Sequence, residues 1–274
     1  MTELISIDAL PERRTRRRVV CGCMFHREIA MLDWRLQELS SVVDDFVVVE
    51  STLTFSGQPR ELVRPDRDPR FAWLAGRLHG IVVDDPPVGP DPWQRETRQR
   101  EAIWSRGAAG MSLADDDLVM ISDVDEVPFP EVVDRLAMAD FDTPLFVRPH
   151  WFNFNWGTYL GPWDHASIRF YTAGFLRDLY AKGLGDQIGN CTPPGIELAG
   201  LHGWHASWFG SDDFVLDKLA SYSHAQDEKD RHAAAEGAAG IQRRRSTGLD
   251  MFGGRPRVDV APRLPIYGHR VSSC

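Results

Sequence analysis

With 274 residues, 43% of them hydrophobic and 26% charged, the chain can bury a full α/β core, and its composition is that of an ordinary soluble globular protein. A formal net charge of −9 excludes nucleic acid as a main partner, because that binding needs a basic footprint. The sequence holds no apolar run near the roughly 18 residues of a membrane span, and no apolar segment precedes its N-terminal arginines, so a secretory leader is not expected; its four cysteines (Cys21, Cys23, Cys191, Cys274) lack disulfide-scaffold or zinc-site spacing.

The expectation from these features is a cytoplasmic protein with no integral membrane contact. Residues 1–18, with the cluster Arg13-Arg14-Thr15-Arg16-Arg17-Arg18, read as a flexible, solvated arm, and residues 19–274 as one domain. Val19–Phe25 predicts a strand buried on both faces. Ile29, Leu32, Leu36 and Leu39 recur at helical spacing and predict an amphipathic helix over 29–39. Asp45–Glu50 predicts the second buried strand. Strand, helix and strand joined by short connections make a βαβ unit, and with it a parallel sheet.

Glu50 and Ser51 end that strand, where ligand-binding loops of α/β sheets lie. A short helix near 70–75 and a strand over 81–83 follow. Pro92 then starts a helix that carries Arg95, Arg98, Gln99 and Arg100. Arginine suits phosphate recognition, although Glu96 and Glu101 could pair with these charges at the surface.

Val119-Met120-Ile121-Ser122-Asp123-Val124-Asp125-Glu126-Val127-Pro128 is the most informative stretch. A short apolar strand stops at carboxylates spaced i, i+2. In an extended chain such residues point to one side, so Asp123 and Asp125 can converge while Glu126 points away. Two like charges that close need a proton or a cation between them, and hard oxygen ligands suit magnesium or manganese.

The second half, 129–274, begins with a helix over 129–136 and turns aromatic. Leu145–Pro149, His150–Trp156 and Ser167–Tyr171 read as strands, glycine-rich loops occupy 183–195, and Gly203–Gly210 precedes a helix capped by Ser211. Residues 225–256 read as a polar helix and a flexible glycine-rich segment. Tryptophans 151, 156, 163, 204 and 208 crowd this half, as core residues or as platforms for the apolar faces of a ligand. A parallel-sheet half (19–128), an acidic metal clasp and an aromatic half (129–274) together suit transfer of a sugar from a nucleotide donor, because a metal neutralises a departing diphosphate.

The chain resembles glycosyltransferase family 17, the β-1,4-N-acetylglucosaminyltransferase family that includes the enzyme adding bisecting N-acetylglucosamine. The similarity lies in Glu28–Leu32 with Arg35–Leu39, in Phe46–Ser51 with Thr54–Gly57, and in Ile121–Pro128. It continues through Asn153–Trp156, Gly203–Phe209, and Lys218 with Ser221–His224. The resemblance implies a GT-A-like fold, a UDP-sugar donor carrying N-acetylglucosamine, a divalent metal (Mn2+ or Mg2+) and an inverting reaction on a saccharide or glycoside hydroxyl. It raises His205 to a further metal ligand beside Asp123 and Asp125. Glu50, Ser51, Arg95, Arg98, Arg100 and Lys218 become donor contacts. Inversion needs a general base, for which Asp213, then Asp212 and Glu197, are the candidates. Two alternatives are a haloacid-dehalogenase-like phosphohydrolase with Asp123 as nucleophile, and a metal-dependent glycan-binding protein without catalysis.

Overall fold

A computed structural model describes residues 3–188, 194–259 and 262–272. Cys191, Cys274 and part of the glycine-rich loop 183–195 lie outside the described residues. The first strand, β1 (Glu3–Ile5), is followed by β2 (Val19–Met24), α1 (Ile29–Leu39), β3 (Asp45–Ser51), β4 (Leu78–Val83) and α2 (Pro92–Ala102). Then come β5 (Leu118–Asp123), β6 (Glu126–Pro128), α3 (Pro130–Ala137), β7 (Leu145–Asn153), β8 (Tyr159–Pro162), β9 (Ile168–Thr172) and α4 (Ala173–Ala181). The chain closes with β10 (Ile196–Ser207), α5 (Asp212–Ser221), α6 (Glu228–Ala235), α7 (Gly237–Thr247) and a last helical turn, α8 (His269–Ser272).

The strands form one sheet in the order β1-β10-β7-β9-β5-β2-β3-β4, with β6 added to β10 and β8 to β7. Pairing is parallel from β5 through β2 and β3 to β4, and again from β7 through β10 to β1. Strand β9 runs antiparallel between these two blocks. The expected α/β fold with a mostly parallel sheet flanked by helices is what forms.

The unbroken apolar runs follow from burial on both faces. Val19, Cys21 and Cys23 of β2 join Phe46, Val48 and Met120 in a core covered by Leu32 and Leu36 of α1 and Val133 and Leu136 of α3. Val20 and Met24 join Val47, Val49 and Ile121 in a second core covered by Ala102 at the end of α2 and Leu176 of α4. Gly22 lies where the chain just past α2 comes closest, since a Cβ there would stand 2.0 Å from Ile103 Cγ2. A third cluster, with Trp208, Val215, Leu219 and Ile241, ties α5 and α7 to the end of β10. Among the described residues no helix is long and apolar enough to cross a membrane.

Some details differ from the sequence expectation. The described part of the supposed arm is docked: β1 pairs with β10, Arg17 is buried against Phe141, and Arg18 binds Asp45 at 2.6 Å. Acidic partners distant in sequence capture these arginines. The two strands expected over 145–156 are one, β7, which runs through Pro149 and ends at Asn153. Beyond Asp123 the chain turns at Val124-Asp125 and returns as β6, which pairs antiparallel with β10 and sets Glu126 opposite His205.

Candidate active site

The sheet runs outward in opposite directions from β2, with β3 and β4 on one side and β5 on the other. Such a reversal leaves a crevice at the carboxyl ends of the strands. A cavity of about 590 Å³ opens there, lined by Phe25, Asp123, Asp125, Glu126, His205 and Lys218, with tryptophans 93, 151, 163 and 208 on its walls. Trp208 takes a left-handed backbone (φ 61°), costly for a bulky residue, at the turn from β10 toward α5.

Asp123 and Asp125 reach the crevice by different means. Asp123 ends β5, keeps about half its side chain exposed, and receives a hydrogen bond from Arg100 Nη2 at 2.9 Å. Against the effect of burial, that guanidinium holds the Asp123 carboxyl below the usual carboxylate range. Asp125 sits in the turn, buried, with Lys218 Nζ of α5 at 3.0 Å from Oδ2. Burial alone would lower the Lys218 ammonium pKa, but the carboxylates of Asp125 and Glu28 outweigh it and raise it. Each acid thus meets a cation from a different helix.

Glu126 corrects an expectation. It faces the same cavity, and its Oε2 accepts a long hydrogen bond from the Asp123 backbone N–H at 3.4 Å. An extended chain would have turned it away, but the chain turns after Asp123. Burial, with Asp123 and Asp125 beside it, pushes its pKa up to about 8.

His205 Nε2 stands 3.9 Å from Asp125 Oδ1, beyond hydrogen-bond range, and among the described residues its buried Nδ1 has no hydrogen-bond partner. Burial lowers its pKa, so the imidazole is neutral at pH 7, the form that ligates metals. Among the described residues no group of three or more His, Cys, Asp or Glu side chains is already assembled around one point. The donor chemistry nevertheless fits a hard divalent cation. Such ions take one or two carboxylates and draw the rest of their shell from water and substrate phosphates, and Asp125, the half-exposed Asp123 carboxylate and neutral His205 would supply that partial set.

The family model of glycosyltransferase family 17 matches residues 1–258 of this chain. The chain belongs to glycosyltransferase family 17. It is 31% identical over 241 residues to the human beta-1,4-mannosyl-glycoprotein 4-beta-N-acetylglucosaminyltransferase, covering 78% of this chain and 45% of that protein. The mouse protein of the same name is 30% identical over 241 residues, covering 78% and 44%. The chain therefore spans less than half the length of these curated relatives. Among solved structures, a 4-diphosphocytidyl-2C-methyl-D-erythritol synthase aligns with TM-score 0.37 at 13% identity, over 69% of this chain and 90% of that one. The glycosyltransferase GlyE of Streptococcus pneumoniae TIGR4 aligns with TM-score 0.36 at 11% identity, over 64% and 38%.

In this member of family 17, the site residues expected from sequence divide sharply. Asp123, Asp125, His205 and Lys218 line the cavity together, and Arg100 joins through Asp123. Glu50 does not line it. Its buried carboxylate binds Arg60 at 3.0 Å and accepts the backbone N–H groups of Val63 and Arg64 at 2.8 Å each, so it secures the loop after β3. Ser51 is buried and accepts from the Leu53 N–H, also outside the cavity lining. Arg95 points into the protein, donating to the carbonyls of Phe55 at 2.7 Å and Gly89 at 2.6 Å. Arg98 pairs with Asp85 at the surface.

None of the three expected bases reaches the cavity. Glu197 binds Arg148 at 2.8 Å near the start of β10, the opposite end of that strand from His205. Asp212 accepts from Gln242 at 2.9 Å, and Asp213 is exposed in the first turn of α5, where helix polarity already accounts for it. Sequence reasoning did not single out Asp250. Buried at 6% exposure, it lines the cavity beside Phe252 while its Oδ1 accepts the N–H groups of Phe252 and Gly254 at 3.0 and 2.8 Å. Its only local signal was an acid in the sequence Leu249-Asp250-Met251-Phe252-Gly253-Gly254.

Proposed function

We propose that this protein transfers a sugar, N-acetylglucosamine, from a uridine-diphosphate donor to a hydroxyl of a saccharide or glycoside, with inversion at the sugar carbon. The observation that carries this reading is the pairing of Asp123 with Arg100 and Asp125 with Lys218 at the sheet's crevice, opposite an aromatic wall. Two acids and two cations make a site suited to a diphosphate and its counter-ion. Asp123, Asp125 and His205 would hold a divalent cation, which when bound neutralises charge growing on the leaving diphosphate. Lys218 and Arg100 add positive charge on the same side, and such preorganised charge acts most strongly in the transition state.

Trp151, Trp163, Trp208 and Phe252 offer apolar faces to an acceptor sugar. Asp250 is the carboxylate best suited to take the acceptor's hydroxyl proton. Two backbone N–H groups fix its Oδ1, leaving Oδ2 for the substrate. A reducing, cytoplasmic setting is supported by Cys21 and Cys23, both buried free thiols.

A donor screen tests the reading. Nucleotide sugars are added singly, with and without Mn2+, and thermal unfolding is followed; then release of nucleoside diphosphate is measured with simple glycosides. UDP-N-acetylglucosamine with Mn2+ should raise the melting temperature by several degrees and be consumed. Hydrolysis of a generic phosphomonoester, with no nucleotide sugar bound, would favour the phosphohydrolase instead. Sugar binding without diphosphate release would leave a binding protein.

A further inference from the structure

We propose that Arg35 is a positioning residue that sets the geometry of the Asp123–Asp125 turn from beneath, by clamping the two backbone carbonyls that flank it. This rests on the reading of that turn as the donor-diphosphate site. Arg35 belongs to α1, which contributes no cavity-lining side chain, and its side chain is fully buried. Its Nη1 donates to the carbonyl oxygen of Asp123 at 2.9 Å and to that of Glu126 at 2.8 Å. Its Nη2 donates to Ser122 Oγ at 2.9 Å and lies 3.2 Å from Cys21 Sγ. Ser122 Oγ in turn donates to the same Glu126 carbonyl at 2.8 Å.

The acceptors are the two ends of one turn. Holding the carbonyls of residues 123 and 126 on a single nitrogen fixes how far the chain bends between them, and so where the Asp125 carboxylate stands relative to Asp123. Among the described residues no carboxylate hydrogen-bonds Arg35, so this is not a buried ion pair of the ordinary kind. A buried charge held by carbonyls, a hydroxyl and a thiol, with its Nε unpartnered among the described residues, is a costly core residue. Its planar fork reaches both carbonyls and the hydroxyl together, which the single ammonium of lysine does not. The same guanidinium places a permanent positive charge beneath a turn that carries Asp123 and Asp125, adding to the charges of Arg100 and Lys218.

The experiment compares wild type, Arg35→Lys, Ser122→Ala and Leu36→Ala, each at a temperature well below its own melting point. Leu36 is fully buried one position along the same helix and reports the effect of lost stability alone. Affinity for UDP with Mn2+ is measured by calorimetry, and kcat and acceptor KM by diphosphate release. Arg35→Lys should weaken UDP–Mn2+ binding about tenfold, the lower end for groups supporting metal ligands. It should also lower kcat, with acceptor KM within twofold of wild type. Ser122→Ala, a small change expected to fold, should weaken UDP–Mn2+ binding about threefold. Leu36→Ala should lower the melting temperature and leave the binding constants unchanged.

Wild type that fails to bind UDP with Mn2+ overturns the donor-site reading, and the role of Arg35 falls with it. Wild type that binds, with Arg35→Lys and Ser122→Ala both within twofold of it, overturns the role of Arg35 alone. An equal loss in Leu36→Ala does the same. Should Arg35→Lys not fold, Ser122→Ala decides by the same criterion.

Discussion

Asp123 and Asp125 stand two residues apart in very different surroundings. Asp123 is half exposed and tied to Arg100, whereas Asp125 is buried against Lys218 with His205 close by. Asp125→Ala removes both the inner acid and the partner of a nearly buried ammonium. Sugar-transfer turnover should fall by roughly 10²-fold or more, on the scale of lost electrostatic stabilisation. Steady-state rates with and without a chelator check this, and a wild type fully active in chelator would remove the cation from the reading. Asp250→Asn should keep UDP-sugar binding, seen as thermal protection, and lose transfer; unchanged transfer would exclude Asp250 as the base. Three of the residues that sequence reasoning misplaced share one cause. Glu50, Arg95 and Glu197 carry chemistry suited to a site, but their partners lie between 6 and 49 positions away, and local sequence does not reveal those pairings.

At the scale of elements, α6 carries an anomaly. Asp230 lies in its first turn at 1% exposure, and among the described residues no other residue hydrogen-bonds either carboxylate oxygen. Burial pushes its pKa up to about 6, from an ordinary value of 3.8. A carboxyl whose folded pKa is raised favours the folded state below its unfolded pKa, and that contribution is lost as pH climbs through the folded value. Asp230→Asn, which never ionises, should therefore melt above wild type at pH 8 and close to it at pH 4. Melting curves at the two pH values check this, and equal curves at pH 8 would contradict it. Helices α1 and α2 were legible because the apolar spacing of α1 and the proline opening α2 act within a few residues. Strands β1 and β6, three residues each, were not, because such short segments exist only through pairing with β10.

Across the whole molecule, the C-terminal segment closes the core. Trp34, Trp156 and Trp204 pack edge to face, with Trp34 centroids 5.1 Å from Trp156 and 6.2 Å from Trp204. Trp204 Nε1 donates to the Arg263 carbonyl at 2.8 Å and Trp156 Nε1 to that of Gly268 at 2.7 Å. The buried Glu38 carboxylate accepts the N–H groups of Ile266 and Tyr267 at 2.9 Å each. Deleting residues 262–274 would leave these groups without partners. Hydrogen bonds to a charged group are worth about 1.5–3 kcal/mol each, so stability should fall by about 3 kcal/mol or more, with tryptophan emission moving to the red. Denaturant unfolding followed by fluorescence measures both, and an unchanged midpoint would show that the segment only rests on the surface.

What the sequence by itself determined was the layered α/β plan and the place of the carboxylate pair. Both follow from short-range rules: apolar runs buried on two faces, helical spacing in α1, and acids where an apolar strand stops. The tertiary structure decided which charges face the crevice. It turned Glu126 inward, because β6 pairs with β10, and it drew Glu50 and Arg95 into loop anchoring. It also brought Asp250 to the aromatic wall from far along the chain. Such choices depend on hydrogen bonds and ion pairs between distant segments, and these exist only once the sheet has closed.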